Sequence, residues 1–214
     1  MKKIMFNDRY GLTQAVLCGR KTMTRRMCKE YKTGELILEG GVEGGVEEWR
    51  YYPAENLVEF VMKDGSVKVC ELPYRAGEVV AVAQAYKKFL LFNHAVIENG
   101  KQTTAGTTKG WTNKMFVRAD LMPIKIQITD MYIERLQDIS DADCMKEGVC
   151  KFDYGFYVPC LYRIPSRGVL YSFKTPRESF ATLMDKPGVG QKNIWGFNPW
   201  VVVYEYRVKK EVLL

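Results

Sequence analysis

Three stretches of this chain constrain the fold more than any others. Residues 124–136, IKIQITDMYIERL, put isoleucine at 124, 126 and 128 with polar residues between them. That period of two predicts a long strand with one buried face. Trp200 to Tyr204 within NPWVVVYEYRV, residues 198–208, and the run Val79 to Ala83 after Ala76-Gly77-Glu78 are continuously apolar instead. A strand of that kind is buried on both faces and needs neighbours on either side. The chain must therefore build a sheet with a covered centre.

The remaining elements fit around that sheet. NDRYGLTQAVLCG reads as one helix, capped by Asn7 or Asp8 and ended at Gly19. NLVEFVMKDGSVKVCEL reads as a hairpin turning at Asp64-Gly65. MFVRAD reads as a strand. Ser140 and Asp143 form a capping-box pattern that opens a short helix ending near Gly148, and Thr175, Pro176 and Glu178 open another. Glu147 falls in the last turn of the Ser140 helix, where a negative charge opposes the helix dipole, so it calls for a partner or a task. The expected fold class is α+β: one domain over 1–214 whose mostly antiparallel sheet curves into a barrel, with flanking helices.

Composition excludes several functions. A 214-residue chain that is 47% hydrophobic can fill a core. No apolar run approaches the roughly 20 residues of a membrane span, and MKKIMFNDRY has no apolar stretch behind its lysines, so a cytoplasmic protein without a membrane partner is expected. The six cysteines (18, 28, 70, 144, 150 and 160) form no C-x-x-C pair, and His94 is the only histidine. Zinc modules and H-E-x-x-H hydrolases are thereby excluded, and no metal or other cofactor is expected. There is no G-x-S-x-G, no G-x-x-x-x-G-K-[ST] and no G-x-G-x-x-G.

The formal charge is +7, and much of it is local. From Arg20 to Lys32 there are six basic residues against one acid, Glu30, a local +5. Within this window lies GRKTMTRR, residues 19–26. Basic residues interleaved with threonines point to a phosphate or polyanion partner, RNA or a nucleotide.

In this setting Gly19, Lys21, Thr24 and Arg26 spell G-x-K-x-x-T-x-R. Together with Ala76-Gly77-Glu78 and the strand to Ala83, ERLQDISDADCMKEG and NPWVVVYEY, they make the chain resemble the ASCH family of the PUA-like superfold. The matching pieces cover about half of the chain. The amino-terminal segment looks like ASCH-type proteins of phages and prophage-bearing bacteria. The resemblance implies a small β-barrel with a cleft for RNA, nucleosides or modified bases. One branch, the small bacterial N4-acetylcytidine amidohydrolases, implies by position that Lys21, Thr24 and Glu147 are catalytic. Those enzymes are about half as long, so insertions are expected near 40–72, 87–113 and 150–173.

The chemistry of that set is coherent. A threonine hydroxyl needs a base to become a nucleophile, and a neutral lysine can serve. Crowding by Arg20, Arg25 and Arg26 lowers a lysine pKa, and the same guanidiniums can hold an oxyanion or a phosphate. Glu147 at a helix end can protonate a leaving amine. Trp195 is the best candidate to stack on a base, and Asn198 to read a base edge or cap the turn before Pro199. Two alternatives stay open. Lys21, Thr24 and Arg26 can grip phosphate without catalysis, with Glu147 in a structural ion pair, or the insertions can serve a protein partner.

Overall fold

The computed structural model describes residues 1–38, 45–89, 96–98, 101–103, 108–153, 155–158, 172–185 and 193–210. His94, Cys160, the 39–44 part of the glycine- and glutamate-rich loop and parts of the expected insertions at 87–113 and 150–173 lie outside them. In chain order the elements are β1 (Lys3–Ile4), α1 (Leu12–Leu17), β2 (Met23–Met27), β3 (Val46–Tyr52), β4 (Leu57–Met62), β5 (Val67–Glu71), β6 (Val79–Val82), β7 (Val96–Glu98), β8 (Lys101–Thr103), β9 (Ile124–Arg135), α2 (Asp141–Lys146), β10 (Cys150–Phe152), β11 (Gly155–Tyr157), α3 (Pro176–Asp185), α4 (Ile194–Phe197) and β12 (Trp200–Lys210).

The three strands that the sequence marked as core join in one five-stranded sheet, ordered β1-β6-β9-β12-β2. All its ladders are antiparallel except β1 with β6. The spine is β9 against β12, running from Arg135 opposite Trp200 to Ile124 opposite Lys210, with a bulge between Glu205 and Tyr206. Val201 to Tyr204 are each no more than 1% exposed, as a centre covered on both faces requires. The class is α+β with mostly antiparallel sheets.

One contact spans the two edge strands: Met5, just beyond β1, accepts a 2.8 Å hydrogen bond from the Arg26 guanidinium of β2. Among the described residues no backbone ladder joins β1 to β2.

The hairpin forms as expected, β4 and β5 turning at Gly65 with φ 81°, and β3 adds a third strand to it. Its apolar side (Val58, Phe60, Met62, Cys70) joins the main core. Two expectations are corrected. The first helix is broken: Asn7 caps a single 3₁₀ turn over Asp8–Tyr10, Gly11 takes φ 64°, and α1 starts only at Leu12. MFVRAD is not a strand. Met115 and Phe116 end a 3₁₀ turn (Lys114–Phe116), Ala119 and Asp120 open another (Ala119–Leu121), and Val117 and Arg118 link them; Lys3 donates to the Met115 and Val117 carbonyls in place of a ladder.

Candidate functional site

The basic loop is held by short-range capping and one long-range contact. After α1, Gly19 adopts φ 77° and the Lys21 amide returns to the Ala15 carbonyl at 2.9 Å. The Thr22 amide then donates to the carbonyl of Lys146 at 3.0 Å, docking the loop on the end of α2. That helix begins where Ser140 accepts from the Asp143 amide, as its sequence signal indicates, and Glu147 is its C-terminal cap. Gly148 follows at φ 108°. A Cβ there would lie 3.2 Å from Leu12 Cδ2 and 3.6 Å from Lys21 Cδ, so glycine lets helix and loop meet.

This docking buries an ion pair. Lys21 is 1% exposed and Glu147 3%. The ammonium donates to the Met23 carbonyl (2.8 Å), the Glu147 carbonyl (2.8 Å) and the Glu147 carboxylate, which engages all three of its protons. Burial pulls the Lys21 pKa below its ordinary value, and the carboxylate of Glu147 opposes that shift. Arg26 and Arg25 add smaller lowering contributions, so desolvation, more than cationic crowding, depresses this lysine.

Arg25 is drawn into the same network. Its Nη1 is 3.2 Å from Glu147 Oε1 and its Nε donates to Glu134 at 2.7 Å, with Asp143 at 3.8 Å. Burial disfavours its charge, but Glu147 and Glu134 outweigh that and raise its pKa. Glu134 is itself pushed up by burial against the pull of Arg25. The sequence marked Asp143 only as a capping residue and gave Glu134 no role at the site, because both reach Arg25 only through the fold.

Lys21, Thr24, Arg25, Arg26 and Glu147 all border one cavity of about 160 Å³, which Phe6, Tyr10 and Phe180 of α3 also line. The Thr24 side chain is nearly buried, and its hydroxyl bonds to none of the described residues. Lys21, Thr24 and Glu147 thus border one cavity, although more than 120 residues of sequence separate Glu147 from the other two. Phe6, Tyr10 and Phe180 were not singled out in the sequence, because an aromatic residue carries no local signal that it lines a cavity.

Comparison with family models, curated proteins and solved structures found no match.

The other candidate residues lie elsewhere. Arg20 faces away from the cavity wall, its Nη1 donating to the Gly148 carbonyl at 2.6 Å and touching Cys150 Sγ. Trp195 packs edge-on to Phe180 with ring centroids 6.2 Å apart and lies under Arg177, one layer behind the wall. Asn198 takes φ 45° as the C-terminal cap of α4, and its side chain accepts from the Gln137 amide at 2.7 Å. Its geometry is that of a turn cap, because α4 needs a left-handed residue before Pro199. Among the described residues no three His, Cys, Asp or Glu side chains gather to hold a metal, and no helix is long and apolar enough to cross a membrane.

Proposed function

We propose that this chain is an ASCH-type protein of the PUA-like superfold that takes a nucleoside, free or in RNA, into the Lys21–Thr24 cavity and hydrolyses an acylated exocyclic amine, as in N4-acetylcytidine. The observation that carries this reading is the buried Lys21–Glu147 pair in the lining of the same cavity as a Thr24 hydroxyl that bonds to none of the described residues. The contact between the two edge strands through Arg26 and Met5 supports barrel-like curvature. At about 160 Å³ the cavity is smaller than the ~300–1,000 Å³ typical of drug-sized ligands, a size suited to a base and its acyl group.

The proton inventory works as follows. In a desolvated pair the proton of Lys21 can pass to Glu147, which removes two buried charges at once. Neutral Lys21 takes the Thr24 proton as Oγ1 attacks the acyl carbon. The C–N bond breaks as the Glu147 acid protonates the leaving amine, and the acyl group stays on Thr24 as an ester. Water then attacks the ester and gives its proton to Glu147, while Lys21 returns one to the Thr24 oxygen. Transfer from Glu147 to Lys21 restores the starting pair.

The fully engaged ammonium of Lys21 favours a second reading, a non-catalytic module for nucleosides or RNA, because that resting lysine has no lone pair to act as base. One experiment separates them. Incubation with N4-acetylcytidine is expected to release cytidine and acetate in equal amounts. Lys21→Ala, Thr24→Ala and Glu147→Gln should each slow release by about 100-fold or more. Failure of the wild-type protein to turn over any acylated nucleoside removes the hydrolytic reading and leaves the binding module.

A further inference from the structure

Two adjacent arginines of β2 have opposite electrostatic situations. Arg25 faces three carboxylates. Arg26 faces none: among the described residues its guanidinium makes no ion pair, it donates once, to the Met5 carbonyl, and its Nε is buried without an acceptor. It also lies beside the Phe6 ring, whose centroid is 5.9 Å from Cζ. A half-buried guanidinium that pairs with no carboxylate among the described residues is best suited to a planar or tetrahedral oxyanion.

Its position is as informative as its charge. Arg26 borders both the cavity that holds Thr24 and a second one of about 220 Å³, and Met5 and Met27 also line both. The two cavities therefore meet where Arg26 spans the two edge strands. Lys3 also lines the second cavity; among the described residues its ammonium makes no ion pair and rests on the Met115 and Val117 carbonyls, outside that lining. The acid bordering that cavity, Glu71, is an exposed residue.

We infer that the ligand is a phosphorylated nucleoside: its base enters the Thr24 cavity, and its phosphate lies on Arg26 with the second cavity beyond. This rests on the nucleoside reading above and narrows it from nucleosides in general to nucleoside phosphates. The phosphate can belong to a mononucleotide or to an RNA chain.

Equilibrium binding at fixed low salt tests it with cytidine, cytidine 5′-monophosphate, inorganic phosphate and a short cytidine-containing RNA. The monophosphate should bind at least about tenfold more tightly than cytidine, as charged hydrogen bonds allow, and salt should erode the difference. Arg26→Gln keeps a donor for the Met5 carbonyl and should bind cytidine and its monophosphate equally, while Arg26→Lys should retain part of the preference. Thermal unfolding of each variant shows whether it is folded. RNA binding at least as tight as the monophosphate assigns the phosphate to a chain, and weaker RNA binding assigns it to the monomer. Equal binding of cytidine and its monophosphate by the wild type overturns the phosphate assignment and leaves the nucleoside reading intact, as does a preference that survives in Arg26→Gln. Failure to bind any cytidine compound overturns the nucleoside reading. Inorganic phosphate then isolates the anion site: loss of its binding in Arg26→Gln upholds Arg26 as the phosphate residue, and no binding to the wild type overturns it.

Discussion

Lys21 and Glu147 stand 126 residues apart, yet the lysine ammonium donates to both the carboxylate and the main-chain carbonyl of Glu147. The side-chain bond sets charge and the main-chain bond sets place. Together they join the loop after α1 to the end of α2 at the wall of the Thr24 cavity.

Removing one member of this pair leaves an uncompensated charge in a dry site. Glu147→Leu is expected to destabilise the protein by about 3–5 kcal/mol. The double variant Lys21→Met with Glu147→Leu should recover a good part of that loss, because it removes the stranded ammonium as well. Chemical denaturation of the single and double variants measures the coupling. A double variant no more stable than Glu147→Leu would show that the pair is not an energetic unit.

Thr24 should behave in the opposite way. Its hydroxyl has no partner among the described residues, so Thr24→Val removes no internal hydrogen bond and should change stability by less than about 1 kcal/mol. The same variant should lose hydrolysis of acylated cytidine, because the attacking oxygen is gone. A denaturation curve and a single-turnover assay on one preparation give both answers.

The pH dependence follows from the direction of the lysine shift. Burial lowers the Lys21 pKa below 10.5. The reaction needs one proton on the Lys21–Glu147 pair, because that proton reaches the leaving amine through Glu147, so losing it at high pH stops hydrolysis. Hydrolysis should therefore fall as pH rises, with a midpoint below 10.5. A fall centred at or above that value would mean that the Lys21 proton is not the one used. The profile of kcat/KM on a soluble acylcytidine measures it.

Gly148 tests the docking of loop and helix. At φ 108°, with Leu12 3.2 Å from where a Cβ would stand, Gly148→Ala should cost about 1–3 kcal/mol and disturb the Lys21 stem. Thermal unfolding reads the first effect. A fall in hydrolysis larger than the loss of folded protein reads the second.

The local pieces of this arrangement were legible from residue order. Ser140 with Asp143, and Thr175 with Glu178, announce helix starts because a cap bonds within three residues of itself. The Asp64-Gly65 turn and the alternation of Ile124, Ile126 and Ile128 are equally local. Gly11 broke the expected first helix because its left-handed conformation supports a cap and a restart, which helical periodicity alone does not distinguish from a continuous run. MFVRAD has the composition of a strand but finds no neighbour to pair with, and strand propensity counts only where a ladder exists.

For the site, the sequence by itself determined a dense basic loop, a glutamate unfavourably placed at a helix end, and the strands that would form the sheet centre. Only the tertiary structure decided how the charges were shared. It gave Glu147 to Lys21 and Arg25, and turned Arg20, Trp195 and Asn198 to other surfaces. Among the described residues it left Arg26 without a counter-ion, where two cavities meet. The reason is physical: a side chain's charge is written in the sequence, but its dielectric surroundings and partners are set by chain segments more than 100 residues away.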